Sequence, residues 1–262
     1  MPMTMQQNDL KFAVLIDADN VPSTNLREMM EEVAKYGTPT YKRIYGDWTK
    51  PHVNRWKEPL LEHAITPVQQ YSYTQGKNAT DSAMIIDAMD ILYSGKVDGF
   101  CIISSDSDFT RLALRLREAG MQVIGMGQKK TPAPFIAACN KFIYIEILKS
   151  KPTTANIPEE RNEETEIKPV DKGVIKLISD SVNDLADELG WAYLGDIGNL
   201  IIKKRPDFDS RNYGFKKLGE LIKSTGLFEI NERVTDKGNG NIKHVYVKLK
   251  VTKAKRQSRK SK

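Results

Sequence analysis

Histidine and cysteine are scarce in this chain, with three and two among 262 residues. Cys101 and Cys139 lie in apolar surroundings without C-x-x-C spacing, which argues against a disulfide or zinc pair and for core thiols in a reducing cytoplasm. No apolar run approaches the ~18 residues of a membrane span. The opening "MPMTMQQNDLKF" lacks the basic and apolar regions of a secretory signal. A cytoplasmic chain with no membrane partner is therefore expected. Charge is not lacking. Hydrophobic residues make up 40% and charged residues 28%, as in a soluble globular protein.

The formal net charge of +6 is unevenly spread. Residues 1–150 carry 17 acids and 17 bases, and residues 171–249 carry 12 and 13. Residues 151–170 carry five acids and three bases, whereas the tail 250–262 carries seven bases and no acid. Such a tail suits a solvated end, and it also suits phosphate binding through counterion release.

Between residues 12 and 150, strand-like and helix-like segments alternate. "FAVLIDA", "TYKRIYGDW", "ITPVQQYSY", "DGFCIISS", "MQVIGMG" and "FIYIEIL" read as strands. Helices are expected after Ser23, over "PHVNRWKEPLLEHA", "TDSAMIIDAMDILYSG" and "DFTRLALRLREAG", and near "APFIAACN". This alternation predicts an α/β unit, a parallel sheet with helices on both faces and its site along the strand C-termini. Residues 150–169 are polar and proline-punctuated, so they read as a linker. Three helices and a hairpin follow, the order of a small winged-helix α+β domain. The expected boundaries are 10–149, 150–169, 170–249 and a basic tail over 250–262.

Asp17 ends the first strand in "LIDADNVP", and Asp106 and Asp108 follow the apolar run of "GFCIISSDSDF". Asp81 opens a helix, where one acid alone is usually a cap. Four acids assigned to one sheet edge repel one another and would converge only around a shared divalent cation. Oxygen-only ligands without nearby histidine or cysteine suit Mg²⁺ or Mn²⁺. "DADNV" also fits the short D-x-D signature of haloacid dehalogenase-like phosphatases, a five-residue match with no cap segment in evidence.

The stretches "VLIDADNVP", "GKNATDSAMIIDAMDILYSGKVDGFCIISSDSDFTRLALRLREAGMQVIGMG" and "KKTPAPFIAACNKFIYIE" resemble the NYN domain, a branch of the PIN-like metal-dependent ribonucleases. The resemblance implies a carboxylate cluster that binds Mg²⁺ or Mn²⁺ and hydrolyses RNA phosphodiesters. Asp17 and Asp106 would be the main ligands, with Asp81 and Asp108 completing the cluster directly or through water. Asn20 would hydrogen-bond a ligand or the scissile phosphate. Asp87, nearly two helical turns beyond Asp81, reads as structural. Lys77, Lys129 and Lys130 fall in loops near this edge, where they would hold flanking phosphates or simply be solvated.

"LGDIGNLIIKKRPDFDSRNYGFKKLGELIKSTGLFEI" resembles the LOTUS domain, also called OST-HTH. Phe215, Leu218, Leu221 and Ile222 read as one apolar stripe of a helix across "SRNYGFKKLGELIKSTG". Gly214 and Gly219 within it would each cost up to ~1 kcal/mol against alanine, which suggests close backbone packing. Lys203, Lys204, Arg205, Arg211, Lys216 and Lys217 cluster around the second and third helices, as a solvated face or as an RNA-contacting surface. The resemblance implies RNA binding and, in some members, protein partners. The turn "DKGNGN" is either a backbone clamp or only a hairpin turn. The expected function is a metal-dependent ribonuclease tethered to an RNA-binding domain; the alternative is a non-catalytic RNA-binding adaptor.

Overall fold

A computed structural model of the chain describes residues 10–71, 79–148, 170–235 and 242–250. Two compact units emerge. The first contains β1 (Lys11–Asp17), α1 (Leu26–Val33), β2 (Thr38–Gly46), α2 (Lys57–Glu62), β3 (Thr66–Gln69) and α3 (Ala79–Ser94). It continues with β4 (Gly99–Ile103), α4 (Thr110–Glu118), β5 (Gln122–Gly127), α5 (Ala133–Ala138) and β6 (Lys141–Tyr144). The six strands form one sheet in the order β3-β2-β1-β4-β5-β6, and every neighbouring pair is parallel. The chain thus runs outward from β1 in both directions, and all the strand C-termini share one edge.

The central strands are apolar on both faces because each face is covered. Phe12, Val14 and Ile16 of β1 pack into a layer with Leu26, Met29, Val33 and Trp56. Ala13 and Leu15 point into the other layer, with Met84, Ala88 and Ile91 of α3 and Leu112 and Leu116 of α4. Each large side chain removed from water in this way contributes roughly 1.5–3 kcal/mol. Cys101 and Cys139 are both buried and free, as core thiols should be. Burial pushes the Cys139 thiol up to about 12.

The strand expected over "FIYIEIL" stops at Tyr144, where its partner β5 also ends at Gly127. Ile145–Leu148 turn instead into a 3-10 helix that buries Ile145 and Leu148. Asp87 is structural. Its carboxylate accepts from the Arg43 guanidinium and the Tyr45 hydroxyl, tying α3 to β2. Asp87→Ala leaves both donors without that acceptor. Its expected cost is about 1–3 kcal/mol, read as a lower urea midpoint at unchanged slope. An unchanged midpoint would refute the tie.

The second unit contains α6 (Lys172–Leu185), β7 (Ala192–Tyr193), α7 (Leu194–Lys204), α8 (Leu218–Ser224), β8 (Phe228–Thr235) and β9 (Ile242–Leu249). Its sheet is antiparallel, in the order β7-β9-β8. This is a winged-helix arrangement, with the two-residue β7 added to the hairpin expected from sequence. Asp171 caps α6 by accepting from the Val174 backbone N–H at 2.8 Å.

The third helix is shorter than the apolar spacing predicts. Ser210–Tyr213 make a 3-10 turn that ends at Gly214, whose φ of 81° is left-handed. A glycine tolerates that conformation without a Cβ penalty, and it breaks the helix. Gly214 and Phe215 therefore lie outside α8, while Leu221 and Ile222 remain in the core. Gly219 fits the close-packing expectation, since a Cβ there would sit 3.3 Å from a Leu194 methyl. The turn "DKGNGN" lies outside the described residues.

Candidate metal and RNA sites

Strand alternation positions Asp17. It follows Ala13 and Leu15 on the α3 side of the sheet, at the C-terminal end of β1. Its carboxylate is almost wholly buried, at 1% exposure. Three donors hold it: the Ser104 hydroxyl at 2.7 Å, the Asn20 amide at 2.8 Å and the Asp19 backbone N–H at 3.0 Å. Burial raises its pKa, and the three hydrogen bonds oppose that rise.

Ser104 was not singled out from sequence. The register Ile16↔Ile103 brings it beside Asp17, and it is fully buried. Its hydroxyl also accepts the Asp106 backbone N–H at 3.0 Å, so one side chain links the ends of β1 and β4. The available signal was its place as the first polar residue after the apolar run of β4.

Asp106 caps the short turn Ser107–Phe109, accepting from the Asp108 backbone N–H at 2.9 Å. Asp81 lies in the first turn of α3, on the stripe that continues through Met84, Ala88 and Ile91. One carboxylate oxygen from each of Asp81, Asp106 and Asp108 lies within 4.8 Å of the other two. Among the described residues, no other set of histidine, cysteine or acidic side chains gathers in this way. Asp17 falls outside that triad but acts on it. Asp81 is pushed up to about 6, first by burial and then by the charges of Asp17, Asp106, Asp108 and Asp19. A half-buried carboxyl surrounded by like charges fits a hard divalent cation, which would relieve the repulsion.

The basic candidates divide. Lys77 lies outside the described residues. Lys129 and Lys130 follow β5 at the same sheet edge; the Lys129 backbone N–H donates to Glu146 at 2.9 Å, and Lys130 is exposed. Along the LOTUS-like stretch, Lys204 pairs with Asp184 at 2.6 Å, Arg205 with Asp207 at 3.1 Å and Arg211 with Asp209 at 2.7 Å. Lys203, Lys216 and Lys217 are exposed.

A parallel α/β sheet with an acidic triad on its C-terminal edge is the arrangement of the PIN-like nuclease class. The chain belongs to the NYN domain family, whose pattern matches residues 11–146. An OST-HTH/LOTUS domain, an RNA-binding module, matches residues 165–239. Among curated proteins none matches the chain.

Solved structures similar to parts of the chain include a crystal structure of a protein of unknown function from Vibrio parahaemolyticus. It is 18% identical over 54% of this chain and 96% of its own, with a TM-score of 0.46. A solution structure of an uncharacterised protein from Nitrosomonas europaea is 33% identical over 40% of this chain and 94% of its own, with a TM-score of 0.27. A fragment from Chromobacterium violaceum is 23% identical over 33% of this chain and 89% of its own, with a TM-score of 0.24. Among the described residues, no helix is long and apolar enough to cross a membrane.

Proposed function

We propose that this protein is a divalent-metal-dependent ribonuclease whose second unit captures RNA. The observation that carries the reading is the triad of Asp81, Asp106 and Asp108 at the edge where the β1 and β4 termini meet. These three would hold Mg²⁺ or Mn²⁺, with Asp17 adding negative charge beside them. A divalent cation supplies Lewis-acid stabilisation of an anionic phosphodiester and a more acidic water.

The chain's own residues contribute position and charge. Ser104 fixes the Asp17 carboxylate and the Asp106 backbone together, so the acidic groups need no reorganisation when RNA arrives. Asn20 orients Asp17 from the turn after β1. Lys129 and Lys130 stand at the same edge, where cations offset the repulsion between the carboxylates and RNA phosphates. In the second unit, Lys203, Lys216 and Lys217 are exposed, and Lys204 is exposed but paired with Asp184.

The test incubates the full chain with labelled single-stranded and structured RNA, and with DNA, in Mn²⁺, Mg²⁺ or EDTA. RNA cleavage in the metal arms and none in EDTA is expected. Binding without cleavage in any metal would leave the non-catalytic adaptor.

A further inference from the structure

The sheet of the second unit has one face that the apolar core does not use. Phe228 and Val247 are buried, and the register Phe228↔Leu249 and Ile230↔Val247 sets that core face. The alternate positions carry Arg233 on β8 and His244, Tyr246 and Lys248 on β9. Tyr193 of β7 stands opposite Tyr246, and Trp191 lies two residues earlier on the same side.

The side chains confirm the grouping. The Tyr193 ring lies 5.5 Å from His244 and 5.8 Å from Tyr246, centroid to centroid. The Arg233 guanidinium sits 4.3 Å above Tyr246 and 5.7 Å from Trp191. The Lys248 ammonium is 5.8 Å from Trp191 on the same surface. Tyr193 is 38% exposed, and the other rings are half-buried. Neither cation makes an ion pair with a carboxylate among the described residues; Glu229 stands opposite Lys248 in register but does not pair with it.

A contiguous aromatic face with its cations held on the rings is built for a ligand that has both flat π-surfaces and negative charge. The resident Arg233 and Lys248 disfavour a cationic peptide. An acidic peptide would satisfy the charges but leave the rings unused. Single-stranded RNA satisfies both, because bases stack on aromatic rings and guanidinium planes while phosphates lie near the ammonium.

We propose that the outer face of β7-β9-β8, through Trp191, Tyr193, Arg233, His244, Tyr246 and Lys248, is a stacking platform for the bases of single-stranded RNA. It is separate from the lysines of the helical surface, and it rests on the reading of the second unit as an RNA-capturing domain.

The test uses the full chain in EDTA, with a fluorescein-labelled twelve-residue oligoadenylate, an abasic strand of equal length and polyglutamate as probes. Wild type should bind the oligoadenylate at least about tenfold more tightly than the abasic strand. Tyr193→Ala should lower oligoadenylate affinity about tenfold, leave abasic binding unchanged and leave the salt slope unchanged. Tyr193→Phe should restore the affinity. Arg233→Gln, which keeps every ring, should weaken oligoadenylate binding too. The double variant Lys216→Gln, Lys217→Gln should instead weaken both strands equally and flatten the salt slope by roughly 0.7 per lost phosphate contact.

If Tyr193→Ala and Arg233→Gln bind oligoadenylate as wild type does while the lysine variant binds weakly, the platform is overturned and RNA capture stands. If wild type binds neither strand, RNA capture itself fails and the platform falls with it. If polyglutamate binds with the same dependence on Tyr193, the face belongs to an acidic protein partner and the platform is likewise overturned.

Discussion

Asp106→Asn should reduce divalent-dependent RNA cleavage by about 10²–10³-fold, the scale on which a preorganised electrostatic group contributes to a transition state. The substitution is chosen because it spares the scaffold. The Asp106 carboxylate caps the turn Ser107–Phe109 by accepting the Asp108 N–H, and an asparagine oxygen accepts that bond equally well. Its backbone N–H keeps the Ser104 hydroxyl as acceptor. What disappears is one negative charge from a triad whose oxygens crowd within 4.8 Å. In EDTA the variant should therefore unfold at the same temperature as wild type or slightly above it, since a repulsion has been removed. In Mn²⁺ its thermal shift should be smaller, because a weaker site stabilises the folded state less. Cleavage by Asp106→Asn at the wild-type rate would show that the triad is not where the chemistry occurs.

Much of this site was legible in the sequence because strand endings are. An apolar run that stops at an acid marks the C-terminal end of a covered strand, and that rule located both Asp17 and Asp106. Helix-start signals placed Asp81 in a first turn and left Asp87 nearly two turns on, where Arg43 and Tyr45 hold it. What spacing cannot supply is which carboxylates end within reach of one another. Asp17, expected as a main ligand, accepts from Ser104, Asn20 and the Asp19 N–H and lies outside the group of Asp81, Asp106 and Asp108. Three hydrogen bonds leave a carboxylate with acceptor capacity to spare, and the charge of Asp17 is felt at Asp81.

In the second unit the limits were different. The apolar spacing from Phe215 to Ile222 is helical, but Gly214 at positive φ sets where the helix cannot begin. The strand β7 is two residues long and too short to carry a period. The ring cluster on the sheet's outer face was hidden for a related reason. Trp191 and Tyr193 lie far in sequence from Arg233 and Tyr246, and the two groups meet only through antiparallel register.

The affinity of the triad for Mn²⁺ should fall steeply with acid, by about tenfold per pH unit once the pH drops below about 6. The cause is Asp81, pushed up to about 6 first by burial and then by four neighbouring acids. An ion that needs this carboxylate ionised must displace its proton below that pH, and one pH unit is then one factor of ten. The same proton sets the sign of a stability effect in EDTA. The folded pKa lies above the ordinary value of 3.8, so the folded protein binds the proton more tightly than the unfolded chain. Stability should rise as pH falls from about 7 towards 4, and Asp17, also raised, acts in the same direction. Asp47 is held low by Thr49 and Gln69, so its opposite contribution is lost only at pH values below that window. Asp81→Asn removes the titrating group and should flatten both profiles between pH 7 and pH 5. Calorimetric titration with Mn²⁺ and thermal unfolding in EDTA, each at pH 5, 6 and 7.5, would measure the two slopes. Slopes that survived unchanged in Asp81→Asn would assign the proton to another group and detach Asp81 from the metal site.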